Sequence, residues 1–425
     1  MRFSKYLAFT FLALGGVIAM PPAFSADVGI GAFLDSEDFL VGERVAFYVS
    51  GFNREATPRV VDVHVGVIAP NGTIYEYPNW NTALQPWLAA APLSANLRFP
   101  ATLIGNLDTF PGGLQPGRYR FATALTEPGT LNLLALSIVP FKVTSGAESR
   151  IVGGATLGFG KNVSSTFPAV LAAVGNFSRV DADVAAMQAK LRQQTPTIDH
   201  CLFHQLPGTL EALVGAANVS ALDAGADLSL GSSSNGGVTL SRVATGGGGI
   251  AYGVSPNPPL GFYRAGEVYT LAGSGGPDVP AFSVSVTAPS AVMVTQPDLS
   301  TLSGIDSNQD FVLRWQGNDG VGEIEVELMG GTADDPDAIV CRFADDGEGV
   351  VPASLLAELR DALNANVSPV GNLPGFVVSG SGVSIGQGGV TLTVSRVNFD
   401  FFNNADEDTS LFTIDQTLAT EVAIQ

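Results

Sequence analysis

Residues 61 to 67 read Val61-Asp62-Val63-His64-Val65-Gly66-Val67. Strict alternation of this kind puts the valines on one face of a β-strand and small or polar residues on the other. Such a ribbon persists in water only if its apolar face is covered by another layer. The chain offers little material for long surface helices, since charged residues are 14% of the 425. It is rich in turn formers instead, with 50 glycines and 26 prolines. The expectation is a mainly all-β protein of two immunoglobulin-like β-sandwich domains, the second carrying one or two short helices.

The same pattern recurs along the chain. Arg44 to Val49, Ile74 to Tyr77, Arg118 to Leu125 and Ile138 to Val143 complete a first sandwich over residues 27–145. A long excursion from Pro78 to Pro111 interrupts it and carries Trp80 and Trp87. Residues 146–200 read as a linker and a helical segment, with Val184, Met187 and Leu191 at helical spacing between Asp181 and Gln193. A C-terminal sandwich follows over 201–398, with clear strands at Ala281–Val286, Phe311–Trp315 and Glu323–Leu328. Glu323, Glu325 and Glu327 fall on the polar face of the last of these. Pro352 and the spacing of Leu355, Leu356, Leu359 and Leu363 predict a helix ending near Asn364. Residues 399–425 read as a tail or edge strand.

The N-terminus opens with Arg2 and Lys5, runs apolar from Tyr6 to Met20, and exits through Pro21-Pro22 to small residues at Ser25 and Ala26. This predicts a removable signal peptide over residues 1–26, and a secreted protein at the cell surface, in the periplasm or outside the cell. No later stretch is long and apolar enough for a helical membrane span. Removing the leader leaves 18 basic against 40 acidic residues. Such a surface repels nucleic acid and anionic lipid, both of which bind through Lys and Arg.

Two cysteines sit in matching contexts, His200-Cys201-Leu202-Phe203 and Val340-Cys341-Arg342-Phe343. On strands each points the same way as its Phe. An exported chain permits a Cys201–Cys341 disulfide, whose long loop is worth ~4–5 kcal/mol in the chain-entropy account. The alternative is a pair of buried thiols.

The order Leu222-Asp223-Ala224-Gly225, Ala265-Gly266, Asp278 to Ser283, Leu313-Arg314-Trp315, Val340 to Phe343 and Val351-Pro352-Ala353 resembles that of exported bacterial β-sandwich proteins with no assigned activity. The resemblance covers roughly residues 200 to 395. It implies export and a sandwich fold, and brings no catalytic residue with it.

Several groups could carry chemistry. Asp306, Asn308 and Asp310 place oxygen ligands at alternate positions, like the start of a Ca²⁺ loop, but without the turn glycine and distal glutamate of an EF-hand. A turn entering the next strand explains them equally well. His200 and His204 flank Cys201 beside Asp199. On a strand that spacing spans ~13 Å, too far for one metal ion. His64 shares a strand face with Asp62, either as an oriented base or on a solvated surface. Trp80 and Trp87 are candidate ligand-contact aromatics or core filling beneath the excursion. No nucleophile–base arrangement and no phosphate loop stands out. The reading is therefore an exported, non-enzymatic structural or binding protein, contacting surface proteins or glycans and needing no cofactor beyond an optional Ca²⁺. The alternatives are a secreted polysaccharide-directed hydrolase using paired carboxylates and a Ca²⁺-stabilised adhesin or surface-layer module.

Overall fold

A computed structural model describes residues 27–145, 149–163, 169–181, 195–205, 218–234, 236–244, 249–254, 257–316, 322–331, 336–365, 390–402 and 408–425. The expected leader, and the expected helix beyond Asp181, lie outside the described residues.

The first part contains β1 (Val28–Leu34), β2 (Asp38–Leu40), β3 (Ala46–Asn53), β4 (Arg59–Ile68), β5 (Ile74–Glu76), β6 (Leu88–Leu93), β7 (Leu97–Asn106), β8 (Gly117–Thr126) and β9 (Leu133–Thr144). A three-stranded sheet in the order β1-β3-β7 faces a six-stranded sheet in the order β2-β9-β8-β4-β5, with β6 also paired to β4. The four alternating valines of β4 are buried against Phe47 and Val49 of β3, as the period-2 pattern predicts. Aromatic rings fill the space between: Phe47 meets Trp80 at 5.9 Å and Phe121 at 5.0 Å, centroid to centroid.

The second part contains β10 (Ser149–Asn162), β11 (Val170–Asp181), β12 (His200–Gln205), β13 (Asn218–Ala221), β14 (Asp227–Ser232), β15 (Gly236–Ala244), β16 (Ile250–Gly253), β17 (Val268–Gly273) and β18 (Phe282–Thr287). It continues through β19 (Val294–Gln296), β20 (Gly304–Ile305), β21 (Phe311–Trp315), β22 (Glu323–Gly331), β23 (Pro336–Ala344) and β24 (Glu348–Val351). Helix α1 (Ala353–Ala365), β25 (Val390–Phe402) and β26 (Asp408–Ile424) complete it. One long sheet runs β12-β23-β22-β25-β26-β10-β11-β16-β15-β14-β17-β18, and a small sheet β19-β21-β24 lies apart from it. The long sheet serves two apolar cores. One gathers Leu157, Phe177, Leu228, Tyr269, Phe402 and Phe412. The other gathers Leu313, Val326, Cys341, Leu356, Val394 and Val422. β25 and β26 are long enough to contribute to both.

The protein is an all-β sandwich structure, as expected. Two expectations along the chain need correction. Residues 149–162 and 170–181 are long strands rather than a linker. Residues 408–424 form an inner strand between β25 and β10, rather than a tail or an edge. β10 hides in the sequence because it is studded with glycine. At Gly154 (φ +147°) a Cβ would lie 1.8 Å from the carbonyl oxygen of Leu411, so only glycine lets the two strands meet. β26 hides because its inward face carries Gln416 and Thr420. Both are buried, and they bond to the backbone at Val292 N (2.5 Å) and Leu299 O (3.1 Å).

Helix α1 forms where its leucine spacing predicts. Leu356 and Leu359 are buried in the second core, and the Asp310 carboxylate accepts from Ala353 N at 2.9 Å. That bond satisfies one of the open donors of the first turn.

Candidate functional site

The N-terminal sandwich meets the rest of the molecule along a seam built from several elements. Phe33 of β1, Ile198 and Ala344 of β23 form a small apolar contact, with Tyr48 and Ala101 against it. Arg98 of β7 pairs with Asp346 at 2.8 Å and also donates to its backbone carbonyl. Arg120 of β8 reaches Asp400 of β25 at 3.0 Å, and Arg118 approaches the same carboxylate at 3.7 Å. Asp199, held at φ +60°, accepts from Ala344 N at 2.9 Å, and a second bond from the Ala101 amide ties β23 to β7. Burial pushes the Asp199 and Asp346 carboxyls above the ordinary range, while Arg98 pulls both down.

Above this seam lies a shallow cleft of about 310 Å³. Its walls include Phe52 and Arg54 from the end of β3, Arg98 and Phe99 from β7, and Asp346 from across the seam. The Arg54 guanidinium lies over the Phe52 ring, 4.8 Å from its centroid. Asn53 shapes the floor, its amide donating to the carbonyls of Thr57, Leu93 and Ser94 at 3.0–3.1 Å. Two arginines and exposed Phe99 line this concave, mixed surface at the junction of two packed units.

The residues singled out from sequence are dispersed rather than convergent. Trp80 is 2% exposed and donates from Nε1 to Thr109 Oγ1 at 3.2 Å. Trp87 is half-buried and packs on Tyr77, with centroids 5.9 Å apart. Trp80 is therefore core filling, and a ligand cannot stack on it. Asp306 spends its carboxylate on Asn308 N, Asn308 Nδ2 and Gln309 Nε2, at 2.9–3.0 Å. Asp306 and Asn308 thus bond to each other, while Asp310 turns away to cap α1. Among the described residues no group of three or more His, Cys, Asp or Glu is arranged to hold a metal ion.

His64 and Asp62 do not lie on a solvated face; His64 is 4% exposed and Asp62 5%. Asp62 accepts from Ala90 N and Gly129 N, both at 2.7 Å, which holds its carboxyl below the ordinary range. His64 Nδ1 stands 3.6 Å from Glu76 Oε1, and its Nε2 lies 3.4 Å from Thr126 Oγ1. The face was misjudged because β6 and the turn near Gly129 fold back over it. His200 and His204 do lie on a strand; His200 turns its Nδ1 to Ile198 O at 2.9 Å, and His204 is buried.

Cys201 and Cys341 stand directly opposite each other on β12 and β23 and are joined by a disulfide, with Cα atoms 4.0 Å apart. Phe343 lies in the same core, and Phe203 packs against it. The matched contexts in the sequence therefore signalled facing positions. Arg98, Arg118, Arg120 and Asp400 carry no signal as seam residues in the sequence, because nothing local marks a residue whose partner is remote in sequence.

The fold defines a multi-sheet all-β sandwich protein stapled by one cross-strand disulfide. No protein-family model matches the chain, and no curated protein matches it. Among solved structures, it is similar to a tetra-tandem repeat in the extending region of a large adhesion protein. That match has 10% identity, covers 93% of this chain and 74% of the other, and has a TM-score of 0.16. It is also similar to trypsin-activated alpha-2-macroglobulin from Escherichia coli, at 10% identity over 96% of this chain, with a TM-score of 0.17. The chain spans 24% of the length of that second protein. Likenesses at this level carry no argument about function. Among the described residues no helix is long and apolar enough to cross a membrane.

Proposed function

We propose that this is an exported, non-enzymatic β-sandwich protein that binds a surface protein or glycan outside the cytoplasm, with the seam cleft as its contact site. The N-terminal sandwich, ending near residue 145, is one module in this reading, and the two-core remainder supports it. The observation that carries the proposal is the Cys201–Cys341 bridge, since disulfides persist in oxidising compartments and are rare in the cytosol. The non-enzymatic part is supported by how the polar groups are used. Asp62, Asp306, Asp310 and Asp345 each accept bonds from protein donors that fix structure. The test is fractionation of the producing cells with N-terminal sequencing of the chain, followed by a glycan and surface-protein binding screen. Export is supported by recovery outside the cytoplasm with the leader absent. Recovery in the cytosol with both thiols reduced defeats it. Arg54→Gln with Arg98→Gln is expected to abolish binding if the cleft is the contact site.

A further inference from the structure

Strand register builds the seam cleft. Phe52 of β3 stands directly opposite Arg98 of β7. Arg54 lies two residues beyond Phe52 and shares its face, and the Arg54 guanidinium stacks on the Phe52 ring. Phe52 is buried, so it is a fixed support with Arg54 over it and Arg98 beside it. Asn96, in the turn before β7, adds an exposed amide to the lining, and Phe99 adds a ring that is 40% exposed.

Arg98 is held by one nitrogen. Its NH2 pairs with Asp346 Oδ1 at 2.8 Å and donates to the Asp346 carbonyl. Among the described residues its Nε and NH1 make no hydrogen bond or ion pair, and its side chain is 48% exposed. A guanidinium fixed in this way keeps two nitrogens able to donate. The Asn96 side-chain amide also has no bonding partner among the described residues. Glu55, beside Arg54, is engaged by Arg59 at 2.6 Å. The lining sets Arg54 and Arg98 against the single carboxylate of Asp346. The cleft therefore carries a net positive charge on a chain whose net charge is −20.

We propose that the cleft recognises a carboxylate-bearing saccharide, with the carboxylate of a uronic acid unit at Arg54 and Arg98, a sugar hydroxyl at Asn96 and the ring against Phe99. This rests on the seam cleft being the contact site, and names the ligand that site takes. Guanidinium donors make charge-assisted bonds to carboxylates, which a neutral sugar does not offer. An exposed aromatic ring suits the apolar face of a pyranose. The volume of about 310 Å³ falls at the small end of the range for small-ligand sites. A protein partner of ordinary size covers about 800 Å² on each side, far more than a shallow cleft supplies. The acidic surface elsewhere repels a polyanion, so attraction is concentrated at the cleft.

The test is calorimetric titration of the full mature chain with three probes: a short oligogalacturonate, the neutral oligogalactoside of the same length, and a short polyglutamate peptide. The oligogalacturonate is expected to bind, to weaken as salt is raised, and to exceed the other two by about tenfold or more. Arg54→Gln and Arg98→Gln are each expected to lose about tenfold, and Asn96→Ala a smaller factor. Arg264→Gln, exposed and outside the cleft, is expected to follow the wild type. Equal binding of the neutral sugar, with both sugars lost in the arginine variants, overturns the choice of ligand and leaves the cleft as contact site. Oligogalacturonate binding that neither arginine variant reduces overturns both readings. Absence of oligogalacturonate binding, or tighter binding of polyglutamate, overturns the proposal. Should Arg98→Gln fail to fold, NMR of the arginine Nε–H groups in the wild type decides. Shifts at Arg54 and Arg98 on adding oligogalacturonate support the proposal, and unmoved signals overturn it.

Discussion

Asp345 and Arg396 face each other in the interior, Asp345 on the loop after β23 and Arg396 on β25. The Arg396 Nε lies 2.8 Å from Asp345 Oδ2, and its NH2 donates to Oδ1 at 2.9 Å. Neither has meaningful exposure, at 3% for Arg396 and 0% for Asp345. Trp315 Nε1 adds a third donor to the carboxylate at 2.8 Å, and Arg396 NH1 donates to Ser290 O and Ala291 O at 3.1 and 2.9 Å. The pair joins the β19–β21 region to the long sheet. Removing one partner leaves the other charge buried and alone. Asp345→Ala is expected to cost ~3–5 kcal/mol in denaturant unfolding, whereas replacing both partners with apolar residues of similar volume is expected to cost much less.

The disulfide closes a loop with a sequence separation of 140. Cys201→Ser with Cys341→Ser is expected to lower stability by ~4–5 kcal/mol in the chain-entropy account. Unfolding of the oxidised and double-mutant proteins without reductant checks this. Equal midpoints contradict it.

Trp80 is expected to behave as a core residue. Trp80→Ala should cost ~3–5 kcal/mol by the usual cost of emptying a large aromatic site. Trp80→Phe should cost less, since the ring stays in contact with Phe47, Tyr77 and Phe110. Binding of glycan or protein by a folded Trp80→Phe variant should be unchanged.

Asp415 of β26 is buried, and burial raises it to about 6, with Thr417 Oγ1 donating at 3.3 Å in opposition. Its folded value exceeds the ordinary aspartate value, so its contribution is full below that ordinary value and is lost as pH rises through about 6. Asp415→Asn is expected to gain on the wild type above that pH, measured by thermal melts across the range. Glu267 has the opposite sign. Ser233, Ser234 and Ser232 hold it down to about 2, so its contribution is present at neutral pH and is lost as pH falls toward that value. Glu267→Gln is expected to flatten the acid limb.

Chelation is expected to leave the melting midpoint unchanged, because Asp306 and Asp310 already have protein donors. Asp310→Ala is expected to cost about 1 kcal/mol through the start of α1, with or without chelator. A chelator-dependent midpoint would restore the Ca²⁺ reading.

Legibility in the sequence followed how local each determinant was. The valines of β4 and the leucines of α1 announce their elements because each needs only its own spacing. Cys201 and Cys341 were legible as partners because both carry a Phe two positions on. β26 was not, since Gln416 and Thr420 break its apolar rhythm and their bonding partners lie on other segments. The glutamates of β22 read correctly as a polar face, yet Glu323 is tied to Arg342 of β23, a partner that local spacing does not mark. The burial of His64 was hidden for the same reason, because its cover comes from β6 and the turn after β8.

The placement of β26 bears on how the chain is assembled. β10 and β26 run parallel, Ile151 opposite Asp408 through Asn162 opposite Ala419, so β10 waits for a strand far downstream in the chain. Until that partner arrives, one flank of β10 keeps its amides and carbonyls open to any strand nearby. Completion of the long sheet is therefore expected to be slow, because it needs pairing between segments of large sequence separation. A shortened chain ending before residue 408 is expected to be left with an adhesive flank and a tendency to aggregate.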